Sequence, residues 1–162
     1  MSDVTNSVRE FAPAKINLFL HVGQKRADGF HDLESLVVFA RTGDVLTFET
    51  ADDLTLTIDG PFAGVLSADD DNLVLKAARA LAARAKIVPQ AHITLTKKLP
   101  VASGIGGGSA DAAAALRGLN TLWGLRFIPD QLRSVGVAFG SDIPVCIEPQ
   151  AAWMAGRGER VS

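Results

Sequence analysis

Fourteen residues, Pro100-Val101-Ala102-Ser103-Gly104-Ile105-Gly106-Gly107-Gly108-Ser109-Ala110-Asp111-Ala112-Ala113, form the stretch of this chain best suited to chemistry. Four glycines fall within five positions, directly ahead of an alanine-rich segment. Glycine reaches positive φ and lets a ligand approach the main chain. Free N–H groups at a helix N-terminus, with the helix dipole behind them, attract an anion. Ser109 adds a hydroxyl in the first turn, where it can donate to a phosphate. Two familiar phosphate loops do not fit. No Lys follows the glycines, as a Walker loop requires. Gly104-x-Gly106-x-x-Ser109 nearly matches a dinucleotide fingerprint, but it lies late in the domain and no second parallel strand follows it.

Three polar residues stand out elsewhere. Residues 14–22 alternate, with Ile16, Leu18, Leu20 and Val22 on one face and Lys15, Asn17, Phe19 and His21 on the other. Period two predicts a strand, so Lys15 and Asn17 project from the same side. Lys15 sits between apolar neighbours, which points away from a solvated charge. Asp142 lies in Gly140-Ser141-Asp142-Ile143-Pro144, where an Asp by itself reads as a turn or helix cap. His21 and His92 have no partners at metal-ligand spacing and read as structural. The single cysteine, Cys146, excludes an internal disulfide and reads as a small buried hydrophobe.

These residues must be positioned by a domain that the composition can support. A chain of 162 residues that is 48% hydrophobic can build one ordinary core. A net charge of −2 argues against a nucleic-acid surface. No apolar run approaches the ~18 residues of a membrane span. The polar start of the chain is unlike a signal peptide, and a reducing cytoplasm is the default location. Strands are predicted at 14–22, 33–40, 44–50, 54–58 and 92–98. Asp71 is the expected N-cap of a first helix that carries Leu73, Ala77, Ala80, Leu81 and Ala85. A second helix follows the glycines to Trp123, and a third opens at Pro129. The segment 143–161 reads as strand with a turn at Gly156–Gly158. Residues 1–8 are expected to be flexible. Strands first, then strands mixed with helices, predict an α+β domain with helices packed on one mixed sheet.

The glycine segment resembles the phosphate-binding motif of the GHMP kinases, and Pro13-Ala14-Lys15-Ile16-Asn17-Leu18 resembles their first motif. Residues 26–33 (Arg26 to Leu33), Asp71-Asn72-Leu73-Val74 and Gly140 to Pro144 are similar to the branch acting on 4-diphosphocytidyl-2-C-methyl-D-erythritol in the non-mevalonate isoprenoid pathway. The resemblance runs from about residue 9 to the end. It implies the ribosomal-protein S5 domain 2-like N-terminal domain of such a kinase over 9–162. It also implies ATP, Mg2+ and transfer of a phosphoryl group to a hydroxyl of that small-molecule substrate. Lys15 and Asp142 match the catalytic pair, the carboxylate accepting the hydroxyl proton. Pro100, Gly104, Ile105, Gly106, Gly107, Gly108, Ser109 and Ala110 match the phosphate loop, and Asn72, Leu73 and Lys97 match positions near the adenine. Asn17, Phe30, His31 and Arg157 are assigned to the substrate; Phe30 would stack on the cytosine where the family more usually has Tyr. No metal ligand is assigned, and Asp111 reads as a charge favourable to the helix dipole. Members of the family are close to twice this length and continue into a ferredoxin-like domain. The expectation is therefore a fragment with weak ATP binding, no measurable turnover and a tendency to self-associate through an exposed apolar face. Another GHMP kinase and a non-catalytic nucleotide-binding module are the alternatives.

Overall fold

The computed structural model describes residues 6–69 and 71–162. Ten elements follow in order: β1 (Val8–Lys25), β2 (His31–Glu49), β3 (Leu54–Asp59), α1 (Leu73–Ala85), β4 (Ala91–Thr96), α2 (Gly107–Leu122), α3 (Pro129–Gly136), α4 (Ile143–Cys146), β5 (Ala152–Gly156) and β6 (Arg160–Val161). They make one sheet covered by helices. Only the β3–β4 pair is parallel, so the sheet is mixed, as the sequence predicts.

The long strand β2 organises this sheet. One edge pairs antiparallel with β1 over nearly its whole length. The other edge pairs with β4 at residues 45–49 and with β5 at residues 33–37. The two strands predicted at 33–40 and 44–50 are thus halves of one element, with an irregularity opposite Pro13 and Lys15. Gly43 is required there: a Cβ would collide with the Ala12 carbonyl. β1 begins at Val8, which faces Phe48, so Val8 belongs to the sheet and not to a flexible N-terminus. Residues 1–5 lie outside the described residues.

The sequence separates two faces of β1 correctly around Lys15 and Asn17, but not beyond them. A bulge between Asn17 and Phe19 adds a residue and shifts the register. Past it, Leu18, Leu20 and Val22 are exposed, and so is Ile16 before it. Period two records alternation but not whether anything covers a face.

The core lies between the sheet and α2. Ala110, Ala112 to Ala115, Leu116 and Leu119 are buried, and they pack against Leu46, Phe48, Ile93 and Leu95 in one cluster. Alanine keeps the helix narrow enough to be enclosed on nearly every side, with the sheet below and α1, α3 and α4 around it. Gly118 carries this further, because a Cβ there would collide with the Phe48 ring.

Two helix starts differ from expectation. The N-cap of α1 is Asn72 rather than Asp71, its Oδ1 accepting from Val74 N–H at 2.9 Å. Residues 143–146 form a helical turn rather than strand. Pro144 in the first turn and Asp142 ahead of it favour that turn over a strand. The glycine turn at 156–158 does join the two last strands. Cys146 is buried as expected, and burial above all pushes its thiol up to about 12.

Candidate active site

The glycine loop enters α2 as the sequence requires. Gly104 and Gly106 take positive φ, 75° and 67°, and Gly106 caps the helix in the left-handed region. Gly107 does not; it is already the first helical residue. Its smallness serves a close approach, since a Cβ would lie 3.1 Å from Lys97 Nζ.

The loop is anchored to β1 at the residue predicted to be catalytic. Lys15 N–H donates to the Ile105 carbonyl at 2.9 Å. A Cβ on Gly106 would sit 3.2 Å from both Cβ and Cε of Lys15, so the loop lies on the Lys15 side chain. That side chain is 3% exposed. Its ammonium donates to Asn17 Oδ1 at 2.8 Å and lies 3.4 Å from Asp142 Oδ2. Asp142, at the start of α4, is 40% exposed. Asp142, distant in sequence, thus meets the neighbouring pair Lys15 and Asn17, and the Lys bridges an amide oxygen and a solvent-facing carboxylate.

A cleft of about 600 Å3 lies along the loop. Pro100, Gly104, Gly106 to Ser109, Asn72, Leu73 and Lys97 line it. Ile105 and Ala110 do not line it: Ile105 holds Lys15, and Ala110 is buried in α2. The amide of Asn72 is committed to structure, Nδ2 donating to the Ser67 carbonyl at 2.9 Å while Oδ1 caps α1.

Lys97 is no surface strand residue. It is 2% exposed, and its ammonium donates to Asp44 Oδ2 at 2.5 Å and to Asp111 Oδ2 at 2.9 Å. Burial alone would lower the Lys97 ammonium, but the two carboxylates together outweigh it and hold it raised. Asp111 is likewise not an exposed charge on a helix end. It is buried, and burial, opposed by Lys97 and reinforced by Asp44, pushes its carboxyl up to about 8. Sequence reading passed over Asp44 altogether. Its other oxygen, Oδ1, also fixes the entry to the loop, accepting from Lys98 N–H at 2.6 Å and Leu99 N–H at 2.8 Å. A signal existed: Asp44 is in phase with Leu46 and Phe48, so it faces the core with them.

The residues assigned to the substrate are gathered only in part. Phe30 and Arg157 line a smaller cavity of about 230 Å3 with Phe139, Gly140 and Ser141, next to Asp142. The Arg157 guanidinium stands 4.5 Å above the Phe30 ring, a cation–π contact on the face expected to take a base. His31 lines neither cavity; its Nδ1 lies 3.1 Å from the Gly23 carbonyl.

Residues 72–149, which include the loop, α2 and Asp142, match the family model described as the GHMP kinases N terminal domain. Over those residues the chain is similar to the GHMP kinases, and it has the fold of their N-terminal domain. Its relatives include 4-diphosphocytidyl-2-C-methyl-D-erythritol kinases. That of Parvibaculum lavamentivorans is 53% identical over 158 residues, 98% of this chain and 54% of that protein. That of Granulibacter bethesdensis is 54% identical over 154 residues, 93% of this chain and 51% of that protein. A crystal structure of 4-(cytidine 5'-diphospho)-2C-methyl-D-erythritol kinase matches with a TM-score of 0.76 at 32% identity, covering 95% of this chain and 54% of that one. Lactococcus lactis galactokinase in complex with galactose shares the fold, with a TM-score of 0.70 at 16% identity over 100% of this chain and 48% of that one. The chain spans about half the length of the curated relatives it matches.

Proposed function

We propose that this chain supplies the nucleotide side and the catalytic pair of a kinase that phosphorylates a hydroxyl of 4-diphosphocytidyl-2-C-methyl-D-erythritol with ATP. The observation that carries it is the contact of Lys15 with both the phosphate loop and Asp142. A phosphoryl group held on Gly106 to Gly108 would lie beside the Lys15 ammonium, and the acceptor hydroxyl beside Asp142. As the hydroxyl oxygen bonds to phosphorus, the bond to the bridging oxygen breaks and ADP leaves. Asp142 takes the hydroxyl proton, and Lys15, fixed by Asn17, offsets the negative charge gathering on the transferred group. Phe30 and His31 are assigned to the cytosine of the substrate, and Arg157, which shares the small cavity of Phe30 next to Asp142, to the substrate as well.

Relatives named for this kinase support the substrate class. Likeness to the family supports Mg2+, which would neutralise phosphate charge. Among the described residues no group of three or more His, Cys, Asp or Glu is placed to hold a metal. In this proposal the ion enters with the nucleotide. Among the described residues, no helix is long and apolar enough to cross a membrane. A cytoplasmic location is part of the proposal.

The test is phosphoryl transfer from labelled ATP, with the full reading frame expressed and offered 4-diphosphocytidyl-2-C-methyl-D-erythritol, homoserine, mevalonate and galactose in turn. Transfer to the first alone is expected. Transfer to another acceptor, or to none, would overturn the assignment.

A further inference from the structure

The charges beneath the phosphate loop do not cancel if all three groups are ionised. Lys97 brings one positive charge, Asp44 and Asp111 bring two negative ones, and all three are buried. Lys97 lies directly under Gly107. An ionised triad would place net negative charge beneath backbone N–H groups that are arranged to receive an anion.

The hydrogen bonds say which carboxyl gives way. Asp44 accepts from three donors, Lys97 Nζ, Lys98 N–H and Leu99 N–H, so both of its oxygens are hydrogen-bonded. Asp111 Oδ2 accepts from Lys97 alone, while its Oδ1 is buried with no hydrogen-bond partner. A bare carboxylate oxygen in that position carries the full desolvation cost. A proton on it removes the charge and leaves the triad neutral.

We propose that Asp111 is held as a neutral carboxylic acid under the phosphate loop, and that a polyphosphate binds the loop only while that proton is retained. This rests on the nucleotide-binding reading above. Burial pushes the Asp111 carboxyl up in the same sense. Other charged groups face this region. Asp69 and Asp71 stand at the cleft wall, Asp71 paired with Lys76 of α1. Lys15 and Asp142 lie across the loop, and Arg117 of α2 is tied to Glu10 of β1. Variants of Asp111 itself separate its contribution from theirs.

The experiment is calorimetric titration with magnesium ATP at pH 7, 8 and 9, above the second ionisation of a phosphate monoester at about 6. Affinity of the unaltered protein is expected to fall up to about tenfold from pH 7 to 9. Titrations in two buffers of different ionisation enthalpy should show proton uptake on binding at pH 9. Asp111→Asn keeps an acceptor for Lys97 and cannot ionise, so its affinity should stay at the pH 7 value throughout. Asp44→Asn leaves Asp111 to balance Lys97 as an ion, and the fall should vanish there too. A wild-type slope retained in Asp111→Asn, or absence of proton uptake by the unaltered protein, overturns the proposal. If Asp111→Asn fails to fold, Asp44→Asn and the buffer comparison decide. Binding with a flat pH profile removes the proton coupling alone, whereas no binding at any pH removes the nucleotide reading and the coupling with it.

Discussion

Lys15 is the residue through which this site is assembled. Its backbone N–H holds the phosphate loop, its stem lies under Gly106, and its ammonium reaches Asn17 and Asp142. Asp142→Asn in the full reading frame keeps the side chain's size while removing the proton acceptor. Turnover is expected to fall by about two orders of magnitude or more, with KM little changed, because the loss falls on the transition state. Steady-state kinetics check this, and near-normal turnover would reduce Asp142 to a helix-starting residue. Lys15→Met should lower turnover as well, and the double variant should be no worse than the poorer single one if the pair acts together. Gly107→Val is expected to abolish nucleotide binding while circular dichroism stays native. The reason is the approach to Lys97 rather than positive φ, which belongs to Gly104 and Gly106.

At the scale of elements, α2 carries both the core and the loop. Its alanines let it lie close on β1 and β2, and the Gly118–Phe48 contact marks the tightest point. Gly118→Ala gains helix propensity of about 1 kcal/mol but forces the Phe48 ring aside. The clash should win, with a net loss of about 1 to 2 kcal/mol in urea unfolding; a stabilised variant would mean the ring moves freely. The end of β4 is pinned to β2 by Asp44 and to α2 by Asp111, both through Lys97. Lys97→Met removes the cation and leaves two buried carboxyls facing each other. A loss of about 3 kcal/mol or more is expected, as for other buried pairs stripped of one partner. Equal stability of variant and parent would show that both carboxyls can be buried uncharged at no cost.

Across the whole molecule, Asp111 sets a pH dependence opposite to that of an ordinary salt-bridged carboxylate. Burial above all pushes its carboxyl from the ordinary 3.8 up to about 8 in the folded state. Between these values the folded state binds the extra proton, so stability is greatest below about pH 4 as far as this group is concerned. It declines as pH rises toward 8 and levels off beyond. Denaturant unfolding from pH 5 to 9 should show that decline in the parent relative to Asp111→Asn, and parallel curves would contradict it. The second whole-molecule feature is the exposed apolar side chains on both faces of β1, Leu20 and Val22 on one and Ile16 with Phe19, stacked on Trp153, on the other, with Leu18 at the bulge between them. Concentration-dependent self-association of the 162-residue chain is expected in sedimentation, reduced by Leu18→Lys with Leu20→Lys. A monomer at high concentration in the parent would rule it out.

Local information was enough for much of this. Four glycines before an alanine-rich helix predict a loop of positive φ leading into a helix N-terminus, and Gly104 and Gly106 do take that φ, because backbone freedom and helix ends are properties of the chain itself. Alternation around Lys15 placed Asn17 beside it, and the two side chains do touch. Asn72 in place of Asp71 as the cap, and a helical turn at 143–146 in place of strand, are local alternatives close in energy that neighbouring contacts settle. What lay beyond the sequence was every fact about cover and company. Period two gave Leu18 and Leu20 an apolar face but not a partner for it, and the bulge that shifts the register leaves no mark in residue types. Asp111 reads from the sequence as a charge on a helix end, and nothing in the sequence says that Lys97 is buried. Only the packing of α2 on β2, beside the end of β4, buries them together with Asp44, and burial is what turns three ordinary charges into one coupled, near-neutral unit.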